Sequence, residues 1–269
     1  MICDYHLHTE FSIDSQAPVR DQIEQAIRLG MDELCITDHH DYDSAFCGLD
    51  FSLDLPAYLE ELRELKEIYR GQIRLKIGVE LGLQNRIRPY LESFMKEYGE
   101  AFDFIIGSSH FVDRVDPYDG AYWQDKTFEQ AMGRYFEVTL DRVRLLHPCF
   151  DVLGHLDYVI RYAPVPDRAY DYEPFAPVID DILKCLIEKG KGLECNSGGL
   201  AYGLSEPNPC RKILARYRQL GGEIITIGSD AHRADRLGYG FDRCRELLLD
   251  CGFTRYTVFN ERKPVFLPL

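Results

Sequence analysis

Apolar positions along the chain fall into two rhythms. Short apolar runs at 2–8, 33–37, 73–81, 102–107, 150–154, 192–196 and 223–228 read as strands. Between them lie longer stretches with helical spacing and end signals. In 18–30, Val19, Ile23, Ala26 and Ile27 share a face, with Pro18 ahead and Gly30 behind. In 54–70, Asp54 and Pro56 open a helix whose stripe is Leu55, Leu59, Leu62, Leu65 and Tyr69. Thr127 and Gln130 frame a capping box before a helix to about Leu146. Residues 176–190 carry a stripe from Ile179 to Ile187. Asn208-Pro209 opens a helix that stops at Gly221-Gly222, and 242–251 is the last helix, stopped by Gly252. Segment 108–126 lacks helical spacing; a loop of that length in a compact domain usually serves function.

Seven strands, each followed by a helix or a long loop, predict parallel strands with right-handed crossovers. The predicted fold class is α/β, a (β/α)7-type barrel formed by residues 1–269 as one domain. An open doubly wound sheet is the alternative.

Composition changes this picture little. With 45% hydrophobic and 28% charged residues, 269 residues can bury a large core. The net charge of −14 argues against nucleic-acid or anionic-membrane partners. The nine cysteines form no CxxC and are scattered through apolar segments, so reduced thiols in a cytoplasmic protein are expected. The first residues lack a signal-peptide pattern, and no apolar run approaches a membrane span.

Candidate chemistry lies at the strand ends. The first strand carries His6 and His8, which alternation places on one face; Asp14 follows. The later strand ends bring Asp38, His39 and His40, then Glu80, His110, His155 with Asp157, Asn196, and Asp230 with His232. Six of the eight histidines, all but His40 and His147, are counted toward the rim where parallel barrels build active sites. Imidazoles and carboxylates packed together suffer desolvation and like-charge repulsion, which a divalent cation removes. Nine candidate ligands result: His6, His8, Asp14, His39, Glu80, His110, His155, Asp230 and His232. At three or four per ion they imply two or three ions, and their mixed nitrogen and oxygen character suits Zn, Mn or Fe.

Such a cluster activates water and neutralises charge, and phosphoester hydrolysis uses both. Arg161 and Arg233 are the candidate phosphate guanidiniums, with Asn196 and Ser197 as neutral donors. Asp230 or His232 is nominated as proton donor to the leaving group. Asp38 and Asp157 are expected to orient neighbouring histidines. His40 should point away from the cluster, and His147 should serve a helix C-terminus.

HxH at the start, TDHH, a strand-end Glu, SSH, GHLDYVIRY and SDAH together resemble the PHP (polymerase and histidinol phosphatase) family. FSLDLPAYLEELRELKEIY and GHLDYVIRYAP are more like the monofunctional members that act on histidinol phosphate. The resemblance implies a distorted (β/α)7 barrel and three metals. The first would be held by His6, His8, Glu80 and Asp230, the second by Asp14, His39 and His232, the third by His110, His155 and a shared Glu80. Many relatives have His where this chain has Asp14, and an arginine in the loop that here reads CNSGGLAYG, for which Arg233 is the expected substitute.

The implied reaction is hydrolysis of L-histidinol phosphate, a small phosphomonoester, in histidine biosynthesis. Asp113, Asp116, Tyr118, Tyr122 and Trp123 are the expected wall for its cationic amine. The protein is expected to be a monomer or small homo-oligomer. Action on nucleotides or DNA 3′ ends, or on another small phosphomonoester, is the alternative, and the acidic charge speaks against the nucleic-acid substrates. A metal amidohydrolase would carry a strand-end lysine, which is absent here, and a non-catalytic binding protein would have lost ligands.

Overall fold

Caps and apolar stripes set the first elements. The computed structural model describes residues 3–44, 51–165 and 169–269; Ile2 of the first predicted strand and Cys47 lie outside them. Helix α1 (Val19–Arg28) buries Val19, Ile23 and Ala26. It leads into β1 (Glu33–Ile36) and β2 (His39–His40). Helix α2 (Leu55–Ile68) begins where the Asp54 side chain accepts the Ala57 N–H at 3.2 Å, and it buries Leu59, Leu62 and Leu65. Then come β3 (Arg74–Gly82), α3 (Arg88–Tyr98) and β4 (Phe104–Ser108). The predicted capping box opens α4 (Phe128–Leu146). It is followed by β5 (Val152–Leu153), α5 (Ala176–Glu188), β6 (Gly192–Asn196) and the single turn α6 (Gly198–Ala201). The chain continues through α7 (Arg211–Gln219), β7 (Ile225–Gly228) and α8 (Phe241–Asp250) to a hairpin, β8 (Arg255–Asn260) and β9 (Lys263–Pro268).

The main sheet is parallel, in the order β1-β3-β4-β5-β6-β7, with β2 also paired to β3. β1 and β2 are successive pieces of one strand, broken at Thr37 and Asp38. The predicted first strand forms no ladder of its own, yet it completes the ring. Asp4 bridges Leu34 on one side and Leu7 bridges Ala231 on the other. The Cys35 N–H donates to Asp4, and the His8 N–H donates to Ala231 at 2.9 Å. Residues 3–8 therefore join the two edges of the sheet, giving the (β/α)7-type barrel that the spacing predicted, in the distorted form that the resemblance implied.

Three features differ from the sequence reading. Helix α3, with Leu91 and Phe94 buried, lies in a stretch that carried no prediction. The helix expected from Asn208 starts at Arg211, because Asn208 is extended: its N–H and C=O pair with Asn196 at 2.9 and 2.7 Å. The β8–β9 hairpin was also unpredicted. It covers the N-terminal end of the barrel, where Phe259 packs on Phe104 and donates its N–H to the Tyr5 hydroxyl. Its two-residue turn, Glu261–Arg262, directs Lys263, Val265 and Leu267 toward β8. The outward row is then Pro264, Phe266 and Pro268, whose two prolines blunt the free edge.

Candidate metal centre

At the C-terminal rim, β-strand alternation turns His6 and His8 to one side, and their rings lie 5.1 Å apart. Gly228 on β7 permits the approach of His6, since a Cβ there would collide with the His6 Cβ. Glu80, wholly buried near the end of β3, is the hub. Its Oε2 lies 3.2 Å from His6 Nε2, 3.6 Å from His8 Nε2 and 2.8 Å from His39 Nδ1. Its Oε1 lies 3.1 Å from His110 Nε2, 2.9 Å from His155 Nε2, and 2.6 Å from the Ser108 hydroxyl. Asp230, at φ +56° in the turn after β7, places Oδ1 3.3 Å from His8 Nε2. Asp14 Oδ2 is 3.4 Å from His232 Nε2 and 3.6 Å from His39 Nε2. All nine sequence-predicted ligands thus meet at one rim.

The geometry fits cations. His6 Nε2, His8 Nε2, His39 Nδ1, His155 Nδ1 and Glu80 Oε2 are buried without a hydrogen-bond partner. Each such atom costs about 1–3 kcal/mol when nothing satisfies it. Three imidazole nitrogens surround Glu80 Oε2 at short range, yet none makes a hydrogen bond to it, an arrangement suited to ligands sharing cations. Four triads bring ligand atoms within 4.8 Å of one another: His8/His39/His232, His6/Glu80/His155, His6/His8/Asp230 and His39/Asp41/His110.

Tautomers are set from behind. Glu194 Oε1 accepts from His6 Nδ1 at 2.7 Å, and Ser12 Oγ lies 3.1 Å from His8 Nδ1, freeing both Nε2 atoms for a metal. Burial opposes charge on these rings, but Glu194, Glu80 and Asp230 outweigh it and hold the His6 proton well above its usual range. Burial with His39 and His232 nearby drives His8 well below. Against the same burial, His6, His110 and His39 keep Glu80 ionised.

Two participants were not predicted. Asp41 accepts from His110 Nδ1 at 3.0 Å and lies 3.6 Å from His39 Nδ1, and Glu194 also accepts the His155 N–H at 2.8 Å. Each stands two residues from a predicted site residue, His39 or Asn196, on the same extended face, so the rule that pairs His6 with His8 would have found both. Asp38 and Asp157 touch no histidine ring. Asp38 binds Thr9 and the Ser12 hydroxyl, and so reaches His8 through Ser12. Asp157 accepts from Asn208, Tyr170 and the Cys210 N–H. His40 turns away, with Nε2 2.7 Å from the Tyr90 hydroxyl, and His147 Nδ1 lies 3.2 Å from the Arg144 carbonyl oxygen at the end of α4.

A cavity of about 480 Å³ opens over the cluster. Arg161 lines it and is buried to 3% exposure. It donates to Asp230 Oδ2 at 2.7 Å, Asn196 Oδ1 at 2.7 Å and Asn208 Oδ1 at 2.8 Å, between the rings of Tyr158 and Tyr202. Arg233 is not brought there. Its side chain is 75% exposed and pairs with Asp235 through two contacts. Asn196 and Ser197 are wholly buried and off the cavity lining: Asn196 holds Arg161 and Glu194, and Ser197 donates to Gly228. Of the expected amine wall, Asp116 and Tyr118 line the cavity. Asp113 pairs with Arg134, the Tyr122 hydroxyl donates to Ala131, and the Trp123 indole donates to Pro117.

The model of the PHP domain matches residues 4–198. The chain belongs to the PHP domain family. Asp230 and His232 lie beyond the matched span. A histidinol-phosphatase of Lactococcus lactis is 34% identical over 97% of this chain and 95% of its own. A probable histidinol-phosphatase of Thermotoga maritima is 30% identical over 99% of each. A crystal structure of the Lactococcus lactis histidinol phosphate phosphatase, complexed with zinc, L-histidinol and phosphate, superposes with a TM-score of 0.88 at 32% identity, covering 98% of both chains. No helix among the described residues is long and apolar enough to cross a membrane.

Proposed function

We propose that this chain is a metal-dependent phosphomonoesterase that hydrolyses L-histidinol phosphate to L-histidinol and phosphate, with the whole of 1–269 as one catalytic unit. The observation that carries the reading is the position of Asp230. One carboxylate oxygen faces the histidine cluster and the other holds Arg161, which couples the metal ligands to a cavity-lining guanidinium. The Lactococcus relative supports the substrate.

His6, His8, Asp14, His39, Glu80, His110, His155, Asp230 and His232, joined by Asp41, would hold two or three divalent ions. When bound, such ions acidify water near neutral pH and neutralise charge on a phosphoryl group. Arg161 spends three of a guanidinium's five N–H donors on the protein and keeps two for phosphoryl oxygens. Of the two nominated proton donors, Asp230 is unsuited: burial favours its proton, but Arg161 and His6 outweigh burial and keep it ionised. His232 lines the cavity and is partly exposed, and it can give a proton only from a state in which its Nε2 does not ligate an ion. Asp116, with Tyr118 and Tyr162 nearby, offers the substrate's cationic end an acidic and aromatic wall. A cytoplasmic monomer or small homo-oligomer completes the reading; the eight free cysteines among the described residues support only the reducing compartment.

The test is phosphate release from histidinol phosphate, p-nitrophenyl phosphate, nucleotides and 3′-phosphorylated DNA, with and without chelator. Histidinol phosphate is expected to lead by about a hundredfold or more in kcat/KM, with chelator abolishing turnover. Faster turnover of a nucleotide or a DNA end would overturn the assignment.

A further inference from the structure

We propose that Asn208 is a positioning residue that sets the pose of Arg161, and that Asp157 decides which way the Asn208 amide faces. The inference rests on Arg161 receiving the phosphoryl group, as in the reading above.

The three acceptors on Arg161 differ in what else they do. Asp230 also faces the histidines, and Asn196 also donates to Glu194 at 3.1 Å, so changing either disturbs the candidate metal ligands. The side-chain partners of Asn208 are Arg161 and Asp157, neither of which is a candidate ligand. Asn208 is wholly buried, and its backbone is pinned to Asn196.

An amide can present oxygen or nitrogen, and nitrogen would set N–H against N–H at the guanidinium. Asp157, an acceptor when ionised, removes that choice. Its Oδ1 accepts a hydrogen bond from Asn208 Nδ2 at 2.6 Å, which leaves Asn208 Oδ1 for the Arg161 Nε–H at 2.8 Å. Its Oδ2 is occupied by the Tyr170 hydroxyl at 2.9 Å and the Cys210 N–H at 3.0 Å. The chain of contacts thus runs from Asp157 through Asn208 to Arg161 and stops at the cavity.

The test exchanges the two groups. N208D places a second carboxylate against Asp157, and their repulsion pulls the acceptor away from Arg161. In the D157N/N208D double variant the amide and carboxylate trade places. The new amide nitrogen donates across the same gap, its oxygen still accepts from Tyr170 and Cys210, and the carboxylate at 208 faces Arg161. Inorganic phosphate is titrated calorimetrically into the metal-loaded, full-length protein, and KM and kcat are measured on histidinol phosphate.

N208D is expected to weaken phosphate binding about tenfold and to raise KM by a similar factor with kcat nearly unchanged. The double variant is expected to recover to within about threefold of wild type. Should N208D fail to fold, N208A gives the same KM-against-kcat split without added charge. Wild-type phosphate affinity in N208D or N208A, with R161A weakened, overturns the proposal. So does a double variant that melts like wild type yet binds phosphate no better than N208D. If R161A itself binds phosphate and turns over substrate like wild type, the assignment of Arg161 beneath the proposal is what fails.

Discussion

One wall of the cavity is built from strand ends and the other from the segments between strands. On the strand-end wall, His39, His110, His155 and Asp230 line the cavity over the buried His6, His8 and Glu80, each set by the alternation of a strand or the turn that follows it. On the other wall, Asp116, Tyr118, Tyr162 and Tyr202 reach the cavity from loops and short helical turns, and Tyr118 and Tyr202 are largely exposed. The first wall concentrates charge where water is excluded; the second offers aromatic faces and one acid where water enters. Their difference separates chemistry, which needs fixed atoms, from recognition, which tolerates adjustable ones.

If that division holds, damage should be graded across the cavity. Stripping the metals should lower turnover of histidinol phosphate by roughly a thousandfold or more, with zinc or manganese restoring it. A stripped sample at full speed breaks the comparison outright. Glu80→Gln, at the hub, should approach the same loss and lower the metal content found by elemental analysis; normal content with normal rate would contradict the hub. Arg161→Ala, where the walls meet, should cost about a hundredfold in kcat/KM.

Asp116→Asn should raise KM for histidinol phosphate about tenfold while sparing p-nitrophenyl phosphate, which lacks the amine. Burial pushes the Asp116 carboxyl up to about 6. Its charge is therefore present above that pH and lost below it, so KM should rise as pH falls through 6 in wild type and stay flat in the variant. The smallest effect belongs to Arg233→Ala, which should leave kcat/KM within about twofold, as expected of an exposed ion pair.

The same division explains what could be read from sequence. Strand-end ligands were legible because a two-residue period and a shared rim leave few alternatives for HxH, a strand-end Glu and SDAH. Asp41 and Glu194 obey that period as well, two residues from His39 and Asn196, but a lone carboxylate at such a position carries no signal of its own. By residue type and spacing alone, without the family resemblance, Arg161 and Arg233 are indistinguishable. Three acceptors brought from distant positions separated them, and no local spacing records that. Asp38 and Asp157 were placed beside histidines because they adjoin them in the chain, yet in space they face hydroxyls and amides. Helix α3 could have been found from Pro89 at its first turn and the spacing of Leu91, Phe94 and Tyr98. The hairpin turn could not, since Glu261 and Arg262 take positive φ without the glycine or asparagine that announces such a turn.

Residues 3–8 lie between β1 and the turn after β7, so the first residues described meet Ala231. A nascent chain on the ribosome therefore holds His6 and His8 long before their neighbours Asp230 and His232 have been made. Chains cut short by nonsense codons or proteolysis upstream of Asp230 carry an unfinished ligand set. In the cell, a complete centre certifies that translation has passed His232.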